Sequence, residues 1–294
     1  MSELDPELDP KLDPPRRPDA VASASASAAA QAHQHYPQPL LPRNARNWMM
    51  VWYRNYMVWK KLAIPSLIGN LADPMIYLFG LGLGLGLLVG NVHGVSYIAF
   101  LAAGTTASSV MMSASFESMY SAFSRMHVQR TWEAIMHAPL TLGDVVLGEV
   151  LWAASKAVLS GVAIMLVAGL LGYAQFPGAL WALPVIVLAG VAFASLAMIV
   201  TALAPSYDFF MFYQTLVMTP MLLLSGVFFP LEQLPQGAQV ATQVLPLAHA
   251  VALIRPLMLG RPVGNVVLHV AVLAVYAVVA LTVALVLLRK RMLR

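Results

Sequence analysis

Six separate stretches of about twenty apolar residues constrain this chain more than any other feature. They cover residues 67–89, 97–118, 145–171, 181–204, 209–229 and 266–288. A helix rises ~1.5 Å per residue and the hydrocarbon of a bilayer is ~30 Å thick, so ~20 residues suffice for one crossing. Lipid supplies no hydrogen-bond partners, so each crossing must satisfy its backbone internally, as a helix does. The chain is therefore read as an all-α polytopic membrane protein with six transmembrane helices, spans 1 to 6. Only 10% of its residues are charged, whereas soluble domains average ~25%.

Lys and Arg set the orientation. If both termini are cytoplasmic, that side receives Arg43, Arg46, Arg54, Lys60, Lys61, Arg125, Arg130, Arg289, Lys290, Arg291 and Arg294. The other side receives Arg255 and Arg261, a strong positive-inside bias. The bases sit at span ends instead of striping one face, which fits a membrane surface better than nucleic acid.

Residues 1–42 differ from the rest. Leu-Asp-Pro recurs three times, an Ala/Ser run follows, and the first twenty residues carry six acids against three bases. Such a composition buries too little surface to order a chain and is read as a disordered extension. Residues 43–294 form the membrane domain. Its first segment, 43–61, mixes Trp48, Trp52, Tyr53, Tyr56 and Trp59 with five bases. Aromatic rings and cations suit the headgroup layer, so an interfacial helix is expected ahead of span 1. The alternating Gly80, Gly82, Gly84 and Gly86 of span 1 lack a following Lys-Ser/Thr and are read as close helix packing rather than a phosphate loop.

Between spans 5 and 6 the chain stays apolar but cannot continue as one helix. Pro230, Pro235 and Pro246 stop it, Gly226 loosens it, and Glu232, His249 and Arg255 need partners there. Broken backbone at membrane depth survives only against protein or a wet cavity. A helix ending at Phe228-Phe229-Pro230, then short re-entrant or interfacial helices, is expected.

The loop 120–144 is the most polar part of the domain. Thr131 is placed to cap a short helix with Glu133 in its first turn, and Pro139 ends it. Trp132, Ile135 and Met136 give it an apolar side. An exposed Trp132 there suits the groove of a partner protein, or the helix rests on headgroups. Thr141 and Asp144 have capping-box spacing at the start of span 3. Ionisable residues near or within spans are Asp73, Glu117, Glu149, Lys156 and His269. Lys156 lies ~12 Å past Gly148 at ~1.5 Å per residue; it either snorkels or pairs with Glu117.

Signatures of chemistry are missing. No phosphate loop, no His-Glu-x-x-His, no cysteine and no ligand spacing among the seven histidines is found. The chain has the body of a transporter without a motor, and no metal site is expected. An ion-coupled carrier would need more buried carboxylates, and a membrane enzyme a catalytic set.

The segment after span 5 reads Gly226-Val227-Phe228-Phe229-Pro230, then Leu234-Pro235, Leu245-Pro246-Leu247 and Arg255. It resembles the signature of ABC-2 type exporter permeases. Within that group the chain is most similar to permeases exporting nodulation factors, which are lipooligosaccharides. Arg54-Asn55-Tyr56, Ala72-Asp73-Pro74, Phe116-Glu117-Ser118, the stretch 143–149, 202–206 and 249–260 carry the likeness, which spans about residues 45–294. The resemblance implies a half-transporter in the bacterial inner membrane, pairing as a homodimer and docking two copies of an ABC ATP-binding subunit. ATP and Mg would be held by that subunit, with no cofactor in this chain. It implies a coupling helix around Arg125, Arg130, Trp132, Glu133, Ile135 and Met136, and an outward motif of Gly226, Phe229, Pro230, Pro235, Pro246, His249 and Arg255. Thr105 and Ser109 in span 2, with Phe212 and Met218 in span 5, are candidates to line the pathway. The cargo implied is a lipochitooligosaccharide; another amphiphile, such as a polysaccharide precursor or a hydrophobic drug, stays open.

Overall fold

A computed structural model describes residues 46–292, apart from the side chains of Asn70 and Asp73. The extension 1–42, Arg43, Arg294 and the Asp73 side chain lie outside the described residues. Among the described residues, five helices are long and apolar enough to cross a membrane: Trp48–Gly84, Tyr97–Val128, Leu142–Leu170, Gly178–Leu203 and Val266–Met292. The fifth expected span is shorter. Phe209–Leu224 consists of an α-helical piece, a π-helical turn Gln214–Met218 and a last α-helical piece. Pro220 has no N–H to donate to Leu216, and the π turn lies across that position. The helix stops at Leu224, not at Pro230. Gly226 follows with φ +73, a left-handed conformation open to glycine.

Span 2 forms the middle of the bundle. Its helix Tyr97–Phe116 is buried almost all round and continues through two π-helical turns, Glu117–Ser121 and Ser124–Val128. Small residues from Ala102 to Ser109 let spans 3 and 4 and the helix Pro246–Met258 approach it from several sides. Span 6 packs mainly on span 4 and presents Val275, Val278 and Val279 outward. Span 3 opens with the expected capping box: the Asp144 carboxylate accepts from the Thr141 amide at 2.9 Å, and the Thr141 hydroxyl accepts from the Asp144 amide at 3.2 Å.

The N-terminal helix Trp48–Trp59 packs against span 3. Val51 and Asn55 are buried against span 3, and Trp52 Nε1 donates to Ser155 Oγ at 3.0 Å. Met49 and Tyr53 face outward. A 3-10 turn, Lys60–Leu62, leads straight into Ala63–Ile76. Pro74 lies within that helix, and a π-helical turn, Tyr77–Leu81, follows it. Close glycine packing holds only at Gly82, where a Cβ would lie 2.9 Å from Ile98; Gly80, Gly84 and Gly86 meet nothing within 4 Å. One departure from an all-helical chain is a two-stranded ribbon, Asn91–Val92 with Val95–Ser96. His93 and Gly94 both have positive φ, as a tight hairpin turn of matching twist requires.

The segment between spans 5 and 6 breaks as expected. Gln236–Thr242 and Pro246–Met258 are helices bent 85° to each other. Pro235 precedes the first and Pro246 opens the second, a position where the missing N–H costs nothing.

Candidate functional site

The first constellation lies at the end of the bundle where the bases cluster. On span 3, Glu149, Trp152 and Lys156 fall at i, i+3 and i+7 and so share one face. On the continuation of span 2, Glu117, Ser121 and Arg125 recur every four residues. Where the faces meet, Arg125 bridges both carboxylates. Its Nη2 donates to Glu149 Oε2 at 2.6 Å and to Glu117 Oε1 at 3.0 Å, while its Nε donates to Glu149 Oε1 at 3.0 Å. Lys156 Nζ donates to Glu117 Oε2 at 2.8 Å, so of the two fates open to Lys156 it pairs. Trp152 Nε1 and Ser121 Oγ complete Glu117; Asn55 Nδ2 and Trp132 Nε1 complete Glu149. Two acids and two bases balance, and every carboxylate oxygen has at least two donors. Burial of four charges needs that degree of satisfaction. The network joins the N-terminal helix, spans 2 and 3, and the loop helix.

This geometry corrects the expected docking face. Trp132 is not an exposed knob: it is fully buried, with its indole N–H on Glu149. Arg125 is committed inside the network. The loop helix Thr131–Met136 is preceded by Arg130 in a left-handed conformation and is not capped by the Thr131 side chain. Of the expected set Arg130 and Glu133 stay outward, alongside His127, Val128, Gln129 and His137, while Ile135 and Met136 are half-buried.

The second constellation lies at the opposite end. Arg255 Nη2 donates to the carbonyls of Gly226 at 2.6 Å and Val227 at 3.2 Å, and its guanidinium stands 3.7 Å from the centroid of the Phe100 ring. Tyr97 Oη donates to Phe228 O at 3.1 Å. Together they hold the irregular backbone after span 5 against span 2. Gly104 makes the fit: a Cβ there would lie 2.5 Å from Val227 O and 2.9 Å from the Arg255 guanidinium. His249 Nε2 bonds Gln243 O at 2.8 Å, and its Nδ1 meets His269 Nδ1 of span 6 at 2.7 Å. Phe229 is half-buried and Pro230 buried. Glu232 is largely exposed, 3.8 Å from His93.

Between the ends, a cavity of ≈ 240 Å³ is lined by spans 1, 2 and 5, including Tyr77, Ser108, Ser109, Ser113 and Leu222. Of the pathway candidates, Ser109 lines it. Thr105 is buried on its own helix, donating to Ala102 O; Met218 is in the core and Phe212 points outward. Arg291, read from sequence only as an orienting base, reaches the last carbonyls of span 4 at Thr201, Ala202 and Ala204. Asn55 and Trp152 were also unforeseen, although the i, i+3, i+7 spacing on span 3 marked the face.

A bundle of apolar spans with buried, self-neutralised charges and a strapped, broken hairpin is the body of a membrane permease. The chain belongs to the ABC-2 type transporter family, whose match covers residues 46–259. It is 59% identical over 252 residues to Nodulation protein J of Rhizobium meliloti (strain 1021), covering 86% of this chain and 96% of that protein. Nodulation protein J of Bradyrhizobium diazoefficiens is 58% identical over 255 residues, 87% of this chain and 97% of that protein. More distantly, the inner membrane transport permease YadH of Escherichia coli (strain K12) is 24% identical over 231 residues, 79% of this chain and 88% of that protein.

Proposed function

We propose that this chain is the permease half of an ABC exporter for a lipochitooligosaccharide nodulation factor. The observation that carries this reading is the 59% identity with a nodulation protein along nearly that protein's whole length. The cargo has an acyl tail and a sugar head. Two copies of the chain would pair, since a cavity of ≈ 240 Å³ bounded by spans 1, 2 and 5 is small for such a molecule and span 5 carries exposed apolar residues such as Phe212 and Leu216. An ATP-binding subunit would hold ATP and Mg and dock on each permease at Val128, Arg130 and Glu133. Both termini and the charge network would lie on the cytoplasmic side of the inner membrane, in keeping with the positive-inside rule.

Force applied to the loop helix would pass through Trp132 to Glu149, and from Arg125 to Glu117, so spans 2 and 3 would move with the loop. The test is ATP-dependent accumulation of an acylated chitotetraose in inverted vesicles holding both subunits. Steady ATP hydrolysis without accumulation of that glycolipid would overturn the substrate assignment.

A further inference from the structure

A larger hollow lies apart from the cavity between spans 1, 2 and 5. A groove of ≈ 1030 Å³ runs between the N-terminal helix and spans 3 and 4, walled by Trp52, Tyr56, Trp59, Trp152, Leu159 and Val187. Its walls are almost wholly apolar, with Arg46 the charged residue among them. Beside it lies a polar cavity of ≈ 270 Å³, lined by Arg54, Asn55, Ser66, Ser121, Gln129 and the carboxylate of Glu117, among others.

The two hollows share a wall. Trp59 and Trp152 line both, with ring centroids 5.8 Å apart and an interplanar angle of 68°. Trp152 turns its ring to the groove and its N–H to Glu117. The polar cavity is in turn adjacent to the serine-lined one. Ser66 precedes Gly69 by three residues on span 1, and Glu117 follows Ser113 by four on span 2, about one helical turn in each case.

We infer that the groove and the polar cavity form one reception site, where a single amphiphile is held before it crosses. This rests on the proposed cargo being an acylated oligosaccharide. The acyl chain lies in the aromatic groove, and the first sugar packs at Trp59 and Trp152 and reaches into the polar cavity. Aromatic faces and amide or hydroxyl partners suit a sugar ring. Of the three bases at that cavity, Arg125 and Lys156 are matched by Glu117 and Glu149. Arg54 donates to Asn55 Oδ1 and has no carboxylate partner among the described residues, which leaves it free to bind a head group. A head rich in hydroxyl and amide groups can use these donors and acceptors, and the phosphate of a bilayer lipid is the competitor that the test sets against it. The serine-lined cavity is then the next station along spans 1 and 2.

The test uses the full chain with its ATP-binding subunit in phosphatidylcholine nanodiscs, and an N-acylated chitotetraose with a diazirine in the acyl chain. Labelled peptides are read by mass spectrometry. Adducts should concentrate in residues 48–59 and 151–159, saturate, and be displaced by unlabelled acylated chitotetraose but not by phosphatidylglycerol. Leu159→Trp, on the half-exposed lip of the groove, should cut that label by about tenfold with an unchanged melting temperature.

Equal labelling of Val275–Val279 on the outer face of span 6, or undisplaced labelling of the groove by diazirine-phosphatidylcholine, would make the groove ordinary lipid contact and overturn the inference. Saturable label confined to residues 69–77 and 108–116, with ATP-dependent export intact, would overturn the reception site and leave the export function standing. Absence of both saturable label and export would remove the substrate assignment and the site together.

Discussion

At the charged end, Glu117, Arg125, Glu149 and Lys156 meet through their side chains, with Asn55, Ser121, Trp132 and Trp152 filling the remaining positions. At the opposite end, Arg255 and Tyr97 reach backbone carbonyls of residues 226–228. The first arrangement locks four regular elements to one another. The second replaces hydrogen bonds that the chain lost when its helix stopped at Leu224. Side-chain locks transmit displacement between rigid bodies, whereas side-chain-to-backbone bonds stabilise one conformation of an irregular segment.

The contrast breaks most sharply at Arg125. Arg125→Met leaves two buried carboxylates short of donors and should cost about 3–5 kcal/mol, read as a large fall in melting temperature and poor accumulation. Glu117→Gln combined with Lys156→Met removes one acid and one base together, and should lose less than the sum of the single substitutions. At the other end, Gly104→Ala drives a methyl into Val227 O and should cost about 1–3 kcal/mol and abolish export. Gly84→Ala, in open space, should leave both the melt and export unchanged.

Arg255→Lys sharpens the comparison by keeping the charge while losing the planar fork and the contact with Phe100. Export should fall well below wild type with membrane insertion retained; wild-type export would show that charge alone suffices. Glu133→Lys, on the outward face of the loop helix, should move stability by no more than about 0.5 kcal/mol yet reduce recovery of the ATP-binding subunit in a pull-down. The smallest effect is expected from deleting residues 2–40: export at the wild-type level, measured at equal expression.

Trp132 shows where sequence reasoning stops. Its helical position beside Ile135 and Met136 identified an apolar face but not what that face meets, because the acceptor Glu149 lies on another helix seventeen residues away. The Lys156–Glu117 pair was within reach because charges this deep have few partners to choose from. The end of span 5 was misjudged because Phe228 and Phe229 are apolar enough for a helix, while the carbonyls that Arg255 and Tyr97 satisfy become visible only once span 2 is alongside.

Apolar run lengths, the distribution of Lys and Arg, and the prolines after span 5 determined by themselves that this is a multi-span bundle with a broken hairpin, since these follow from local hydrophobicity and from missing backbone donors. Tertiary structure alone decided that Arg125 and Trp132 face inward, that span 2 is the central helix, and that two tryptophans divide an apolar groove from a polar cavity. Those outcomes depend on which helix faces lie within hydrogen-bonding distance, and residues far apart in the chain acquire that proximity only when the bundle packs.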